Sequence, residues 1–257
     1  MEVPIVILSH KRAGRVTTHE HVKGAKVCVP EGQAEDYARF HAPETLLVHP
    51  DTVVGLCAKR QWVCERCGDV MMLDDDSNGL YRLYRPRDAT IYRARRTRCS
   101  PTRAAEIVQA VAETARRLGA FLFGFGAHCN PVTYYPGRPF SFGGYTPGGS
   151  VGVLAGSKLW WPEDCTLPVD DWWVCLLNAY YHRYAYYDRR FAWSFAETYR
   201  RQGGMAEFRH QGAEEEATAY LIRHFGGEVV VHKWTPTSVT RREFNTSPRR
   251  IQLPWRA

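Results

Sequence analysis

Short apolar runs alternate with longer polar and amphipathic stretches along the first third of the chain. Residues 3–8, 26–29, 45–48 and 70–73 are the runs, each of strand length and rich in Val, Ile and Leu. Residues 33–41 and 52–66 between them have helical character. Strands alternating with helices predict βαβ units, hence an α/β fold with a mainly parallel, Rossmann-like central sheet flanked by helices. Further on, Pro101 opens the strongest helix of the chain. Ser100 is its N-cap, Ile107, Val108, Val111, Ala115 and Leu118 form one buried face, and Gly119 is its stop. Residues 120–125 and 151–154 read as strands, residues 170–180 and 213–225 as helices, and residues 228–234 as a late strand. Without an internal repeat or a compositional break, residues 1–235 form one domain and residues 236–257 an Arg-rich tail.

Composition adds bounds to this picture. With 44% hydrophobic and 24% charged residues the chain is globular in type. Its longest apolar stretch is too short to span a bilayer, and Met1-Glu2-Val3-Pro4-Ile5 lacks the basic-then-apolar pattern of a signal peptide. The expectation is a cytoplasmic monomer with no membrane partner. The eight cysteines are then thiols. Cys64 and Cys67 form a CxxC without a second pair, so buried thiols are expected there rather than zinc. The net charge of +7, carried mainly by Arg, favours a polyanionic partner.

The chemistry centres on Asp74-Asp75-Asp76, three carboxylates closing the apolar run 70–73. Clustered like charges repel, and a cation among them relieves the repulsion. At an extended strand end Asp74 and Asp76 can serve one side while Asp75 points elsewhere. Their hard oxygens suit Mn2+ or Mg2+, which bridge the phosphates of nucleotides. The bland alternative is a solvated turn leading into Ser77-Asn78-Gly79. Asp170 and Asp171 open a helix, where negative charge is favoured in any case. His232, on the late strand, is by spacing alone an ordinary core histidine. Residues 82–98 hold seven arginines (Arg82, Arg85, Arg87, Arg93, Arg95, Arg96, Arg98) against the single acid Asp88, interleaved with Tyr84 and Tyr92. Guanidinium groups with aromatics suit a nucleic-acid backbone and a displaced base; a solvated basic face is the alternative. Gly143, Gly144, Gly148 and Gly149 lie in a long aromatic-rich loop suited to closing over a ligand.

The order of these features, with D-x-D after the fourth strand, an acidic pair opening a helix and a late histidine, resembles a GT-A glycosyltransferase. More narrowly the chain is similar to the TET-associated glycosyltransferases of bacteriophages, in Ile7-Leu8-Ser9-His10-Lys11-Arg12, Val29-Pro30-Glu31, Lys59-Arg60-Gln61-Trp62-Val63, Met72-Leu73-Asp74-Asp75-Asp76 and Gly203-Gly204-Met205. The resemblance implies sugar transfer from a nucleotide sugar, a UDP-sugar, to the hydroxyl of 5-hydroxymethylcytosine in phage DNA. It implies a metal on Asp76, with Asp74 or His232 assisting. Ser9, Arg12, Glu31, Arg60, Asp74, Asp75, Gly203 and Gly204 would bind the donor, Arg60 reaching its diphosphate, and the seven arginines would bind acceptor DNA. Asp171, supported by Asp170, would be the general base of an inverting displacement; in a retaining enzyme the pair would only position groups. The competing readings are a protein, glycan or small-molecule acceptor, a nucleotidyltransferase, and a DNA-binding protein without catalysis.

Overall fold

The computed structural model describes residues 2–86, 93–143, 145, 146, 148–195, 212–232 and 249–251. The chain begins with strand β1 (Ile5–Leu8), β2 (Lys26–Pro30), the short helix α1 (Ala34–Ala38), β3 (Leu46–His49), helix α2 (Gly55–Cys67) and β4 (Val70–Asp74). These four strands run parallel in the order β3-β2-β1-β4. A meander of β5 (Ser77–Tyr84) and β6 (Arg95–Arg98) leads into helix α3 (Pro101–Leu118). Then come β7 (Leu122–Phe125), β8 (Phe140–Ser141), β9 (Ser150–Val153), helix α4 (Asp170–Tyr181), β10 (Tyr186–Asp188), β11 (Phe191–Phe195), helix α5 (Ala213–Phe225), β12 (Val230–His232) and β13 (Arg249–Ile251). The large sheet has eight strands in the order β3-β2-β1-β4-β9-β7-β10-β8, of which β9 and β8 run against their neighbours. This is the mainly parallel α/β architecture expected, compatible with a GT-A fold.

Alternation along the strands builds the two sides of the core. Ile5 and Ile7 of β1 with Met71 and Leu73 of β4 pack against Ala104, Ile107, Val108 and Val111 of α3. Val6 and Leu8 with Val70 and Met72 face the other way, against Cys57 and Val63 of α2 and Trp173 and Val174 of α4. Each fully buried side chain of this kind contributes about 1.5–3 kcal/mol. The alternation also aims the site: Asp74 continues the Val70 and Met72 face, toward α2 and α4. Helix α3 has the boundaries read from the sequence. Ser100 Oγ accepts from Arg103 N at 3.3 Å, and Gly119 ends the helix at φ 72°, where a side chain would be strained.

A second sheet, β11-β5-β6, starts directly after the Asp turn. No strand was expected at residues 77–84. It forms because β11 pairs with it antiparallel along Ser77 to Arg82 and β6 along Tyr81 to Tyr84. The segment assigned to the tail also contributes: β13 pairs antiparallel with β12, while residues 236–248 and 252–257 lie outside the described residues. Among the described residues, no helix is long and apolar enough to cross a membrane.

Candidate functional site

The Asp triplet sits where β4 turns into β5, and each carboxylate has a different surrounding. Arg12 lies against Asp75 and near Asp76, whereas Asp74 turns to Arg60; the closest bonds are those of Asp75. Its Oδ2 accepts from Ser9 Oγ at 2.5 Å and its Oδ1 from Arg12 Nη1 at 2.6 Å. Ser9 Oγ lies 2.7 Å from the Tyr37 hydroxyl, which also accepts from Arg12 N at 3.0 Å. Lys11 at φ 53° turns the chain sharply after β1, in a conformation a non-glycine residue rarely adopts. Three residues expected to grip the donor therefore lie together, but bonded to one another.

The backbone of the turn is pinned from residues the sequence did not single out. Asp75 O accepts from the amides of Thr17 and Thr18. Thr18 Oγ1 donates to Asp74 O at 2.6 Å and accepts from Ser77 N at 2.8 Å. Asp76 is buried, 3.9 Å from Arg12 Nη1.

Asp74 faces the opposite way, into the space between α2 and α4. Its side chain is recessed yet 37% exposed, open toward that space, and Arg60 Nη2 lies 3.7 Å from its Oδ1. Desolvation pushes Asp74 up to about 7; Arg60 opposes the shift, and Asp76, Asp170 and Asp75 add to it.

Arg60 is the centre of the arrangement. Its guanidinium has no exposed surface; Nε donates to Asp170 Oδ2 at 2.8 Å and Nη2 to Gly148 O at 2.5 Å. Arg60 thus bridges the triplet and the acidic pair, and its buried Nη1 has no hydrogen-bond partner among the described residues. Helix α4 begins at Asp170, whose carboxylate is spent on Arg60.

Asp171 is half-buried. Its Oδ1 accepts from the amide of Trp172 at 2.7 Å and its Oδ2 from the Tyr145 hydroxyl. The Tyr145 ring lies 4.8 Å from that of Trp172. Desolvation, then the Asp171 charge, raise the Tyr145 phenol above its ordinary value.

Gly148 and Gly149 serve close approach. A Cβ on Gly148 would stand 3.3 Å from Asp171 and 3.5 Å from Asp170 Oδ2. One on Gly149 would meet the Phe195 ring at 2.7 Å, while Gly149 O accepts from Asp74 N at 3.0 Å. A loop without side chains thus passes between the two acidic clusters. Gly143 has open space around it, and Gly144 lies outside the described residues.

The family model for TET-associated glycosyltransferases matches residues 3–204, a span that holds both acidic clusters and Arg60. The chain belongs to this family. No curated protein and no solved structure matches this TET-associated glycosyltransferase.

The remaining expected residues fall in three places. Glu31 is exposed on the short turn after β2. Among the basic residues of the enzyme, Arg82, Arg93, Arg95, Arg96 and Arg98 are exposed, and half-buried Arg85 donates to Val132 O at 2.8 Å. Arg95 lies over the Tyr84 ring at 5.0 Å and Arg96 over Tyr81 at 4.8 Å. This ladder is contiguous with the Asp turn. A Cβ on Gly79, three residues beyond Asp76, would stand 3.1 Å from Arg98 Cδ, and three residues of strand span about 10 Å. Arg87, Gly203, Gly204 and the side chain of His232 lie outside the described residues. The CxxC forms no disulfide: both thiols are free, and burial pushes Cys64 up to about 12.

Proposed function

We propose that this glycosyltransferase uses a divalent cation to move a sugar from a UDP-sugar to the hydroxymethyl group of 5-hydroxymethylcytosine in DNA, with inversion. The observation carrying this reading is Arg60, which holds Asp74 and Asp170 within 3.7 Å and 2.8 Å of one guanidinium, so that the two acidic clusters converge on it. Charge balance there favours a cation. Asp74, Asp75, Asp76, Asp170 and Asp171 surround the guanidinium groups of Arg12 and Arg60, with the Lys59 ammonium acting on Asp75, and Asp74 is pushed up to about 7, first by desolvation and then by Asp76, Asp170 and Asp75 against the pull of Arg60.

Among the described residues, no three His, Cys, Asp or Glu side chains form a ready-made metal cluster. The fit is therefore to a cation of the Mg2+ or Mn2+ type, held by Asp74 and Asp76 and completed by phosphate oxygens and water. Such a cation supplies Lewis-acid stabilisation of the leaving nucleoside diphosphate. Asp75 fixes Ser9 and Arg12 beside the donor phosphates. Asp171 takes the proton of the acceptor hydroxyl, which replaces the Tyr145 hydroxyl at Oδ2. Asp170 and Arg60 hold Asp171 in place from the first turn of α4.

The acceptor assignment rests on the Arg and Tyr ladder of β5 and β6, exposed and adjoining the Asp turn. A strand edge of this kind neutralises backbone phosphates, and the hydroxymethyl group already projects into the major groove.

The test is incubation with Mn2+, a panel of UDP-sugars and DNA with or without 5-hydroxymethylcytosine, followed by digestion to nucleosides and mass analysis. One hexose added only to 5-hydroxymethylcytosine is the expected result. Transfer to a glycan or protein but not to DNA would move the acceptor elsewhere, and a phosphorus-containing adduct would make the protein a nucleotidyltransferase.

A further inference from the structure

A second cleft lies beside the segment that enters α4. It has a volume of about 530 Å³, and its walls include Trp160, Trp173, Tyr220 and His224, with Glu163 and Asp164. Clefts of this size with aromatic walls and a few polar groups are the usual form of small-ligand sites. Trp160 is 43% exposed, and its ring stands 5.0 Å from that of Trp173 at 72°. The rings of Tyr220 and His224 stand 5.7 and 5.2 Å from that of Trp173. Glu163 and Asp164 are exposed.

One atom distinguishes this cleft from an ordinary aromatic surface. Trp173 is only 2% exposed, and its buried Nε1 has no hydrogen-bond partner among the described residues, a state it shares with Trp193 Nε1 elsewhere in the fold. Its neighbour Trp161 is also buried, but there the indole N–H donates to Asp170 O at 2.8 Å. Buried indole N–H groups are nearly always paired, so an unpaired one in the wall of a cleft points to an acceptor that the ligand brings.

We propose that this cleft binds a neutral hexopyranose, at a site separate from the sugar-nucleotide site. A pyranose offers a C–H face to the aromatic walls, a hydroxyl oxygen to the Trp173 N–H, and hydroxyl protons to the Glu163 and Asp164 carboxylates. A nucleotide or a DNA backbone brings phosphate, which those two carboxylates repel. The inference rests on the proposed function only in setting this cleft apart from the UDP-sugar site.

The probes are methyl β-glucopyranoside and methyl β-galactopyranoside, titrated against the full chain by calorimetry and saturation-transfer NMR. At least one binds, at millimolar strength. Trp160→Ala weakens it about tenfold, Trp173→Phe, which keeps the ring and loses the N–H, about threefold, and the exposed double variant Glu163→Gln/Asp164→Asn weakens it as well. UDP binding is unchanged in all three, which also reports that they fold. Asp76→Asn leaves glycoside binding intact. The proposal is overturned if neither glycoside binds, if Trp160→Ala and the double variant bind as wild type does, or if UDP-hexose competes the glycoside away. It is equally overturned if an Arg- and Lys-rich peptide, rather than a glycoside, occupies the cleft.

Discussion

Arginine does two different jobs in this molecule, and the contrast between Arg60 and the β5–β6 ladder separates them. Arg60 is wholly buried and bonded to Asp170 and Gly148 beside Asp74. It orders carboxylates through Nε and Nη2, while its buried Nη1 has no hydrogen-bond partner among the described residues. Arg95 and Arg96 are exposed, and among the described residues their guanidinium groups rest on tyrosine rings rather than on acids, with Arg96 Nη1 also donating to Cys129 O at 3.0 Å. An arginine without a carboxylate partner keeps its charge for an outside anion. The same side chain thus assembles the candidate chemical site in one region and stays exposed on a strand edge in the other.

The largest effects are expected where that division places chemistry. Asp171→Asn lowers sugar transfer by about 10²–10⁴-fold, and Asp76→Asn by about 10²–10³-fold, both measured as turnover with saturating DNA. Neither changes the salt-dependent affinity for DNA.

Next comes the buried bridge itself. Arg60→Met leaves Asp170 buried beside Asp74 without its counter-charge, and such a loss costs about 3–5 kcal/mol. Urea unfolding measures it. A cost near that of a surface substitution would mean that the guanidinium is not the bridge described.

The ladder yields a smaller effect of another kind. Arg95→Ala/Arg96→Ala reduces the slope of log affinity for DNA against log salt by about 2, while donor hydrolysis without DNA is unchanged. An unchanged slope would remove the ladder from the acceptor site.

The smallest effect is a pH dependence. Asp74, at about 7, binds its proton more tightly in the folded chain than in the unfolded one. Its contribution to stability is full at acid pH and is lost as pH rises through about 7. Asn at this position does not ionise, so the melting temperature of Asp74→Asn gains on wild type from about pH 4 to pH 7. Because the side chain is 37% exposed, solvent screening limits the gain to about 2–4 °C. His49 and Lys59, lowered to about 4 and about 8 by burial, titrate in both proteins and cancel in the difference.

What the sequence made legible follows from the range of the interactions involved. The strand and helix alternation, the Ser100 and Gly119 caps, the helix starting at Asp170 and the triplet at the end of β4 rest on local patterns. β5 was hidden because its partner, β11, lies more than a hundred residues away, and because Asp-Asp-Asp-Ser-Asn-Gly reads locally as a turn. The Arg60 bridge was hidden for a related reason. A lone guanidinium on a helix looks solvent-facing, and only the approach of α4 and the Gly148 loop buries it. Tyr145 stood in a loop whose length marked it as functional, but nothing local tied it to Asp171. Thr17 and Thr18 carried no signal, since their work on the Asp turn consists of backbone bonds.

UDP release from UDP-hexose, with and without 5-hydroxymethylcytosine DNA, tests the division of labour most directly. Wild type is predicted to release UDP slowly alone and faster with DNA. Asp76→Asn loses both rates, whereas Arg95→Ala/Arg96→Ala keeps the slow rate and loses the stimulation. Full DNA stimulation in Arg95→Ala/Arg96→Ala, or undiminished release by Asp76→Asn, would contradict it.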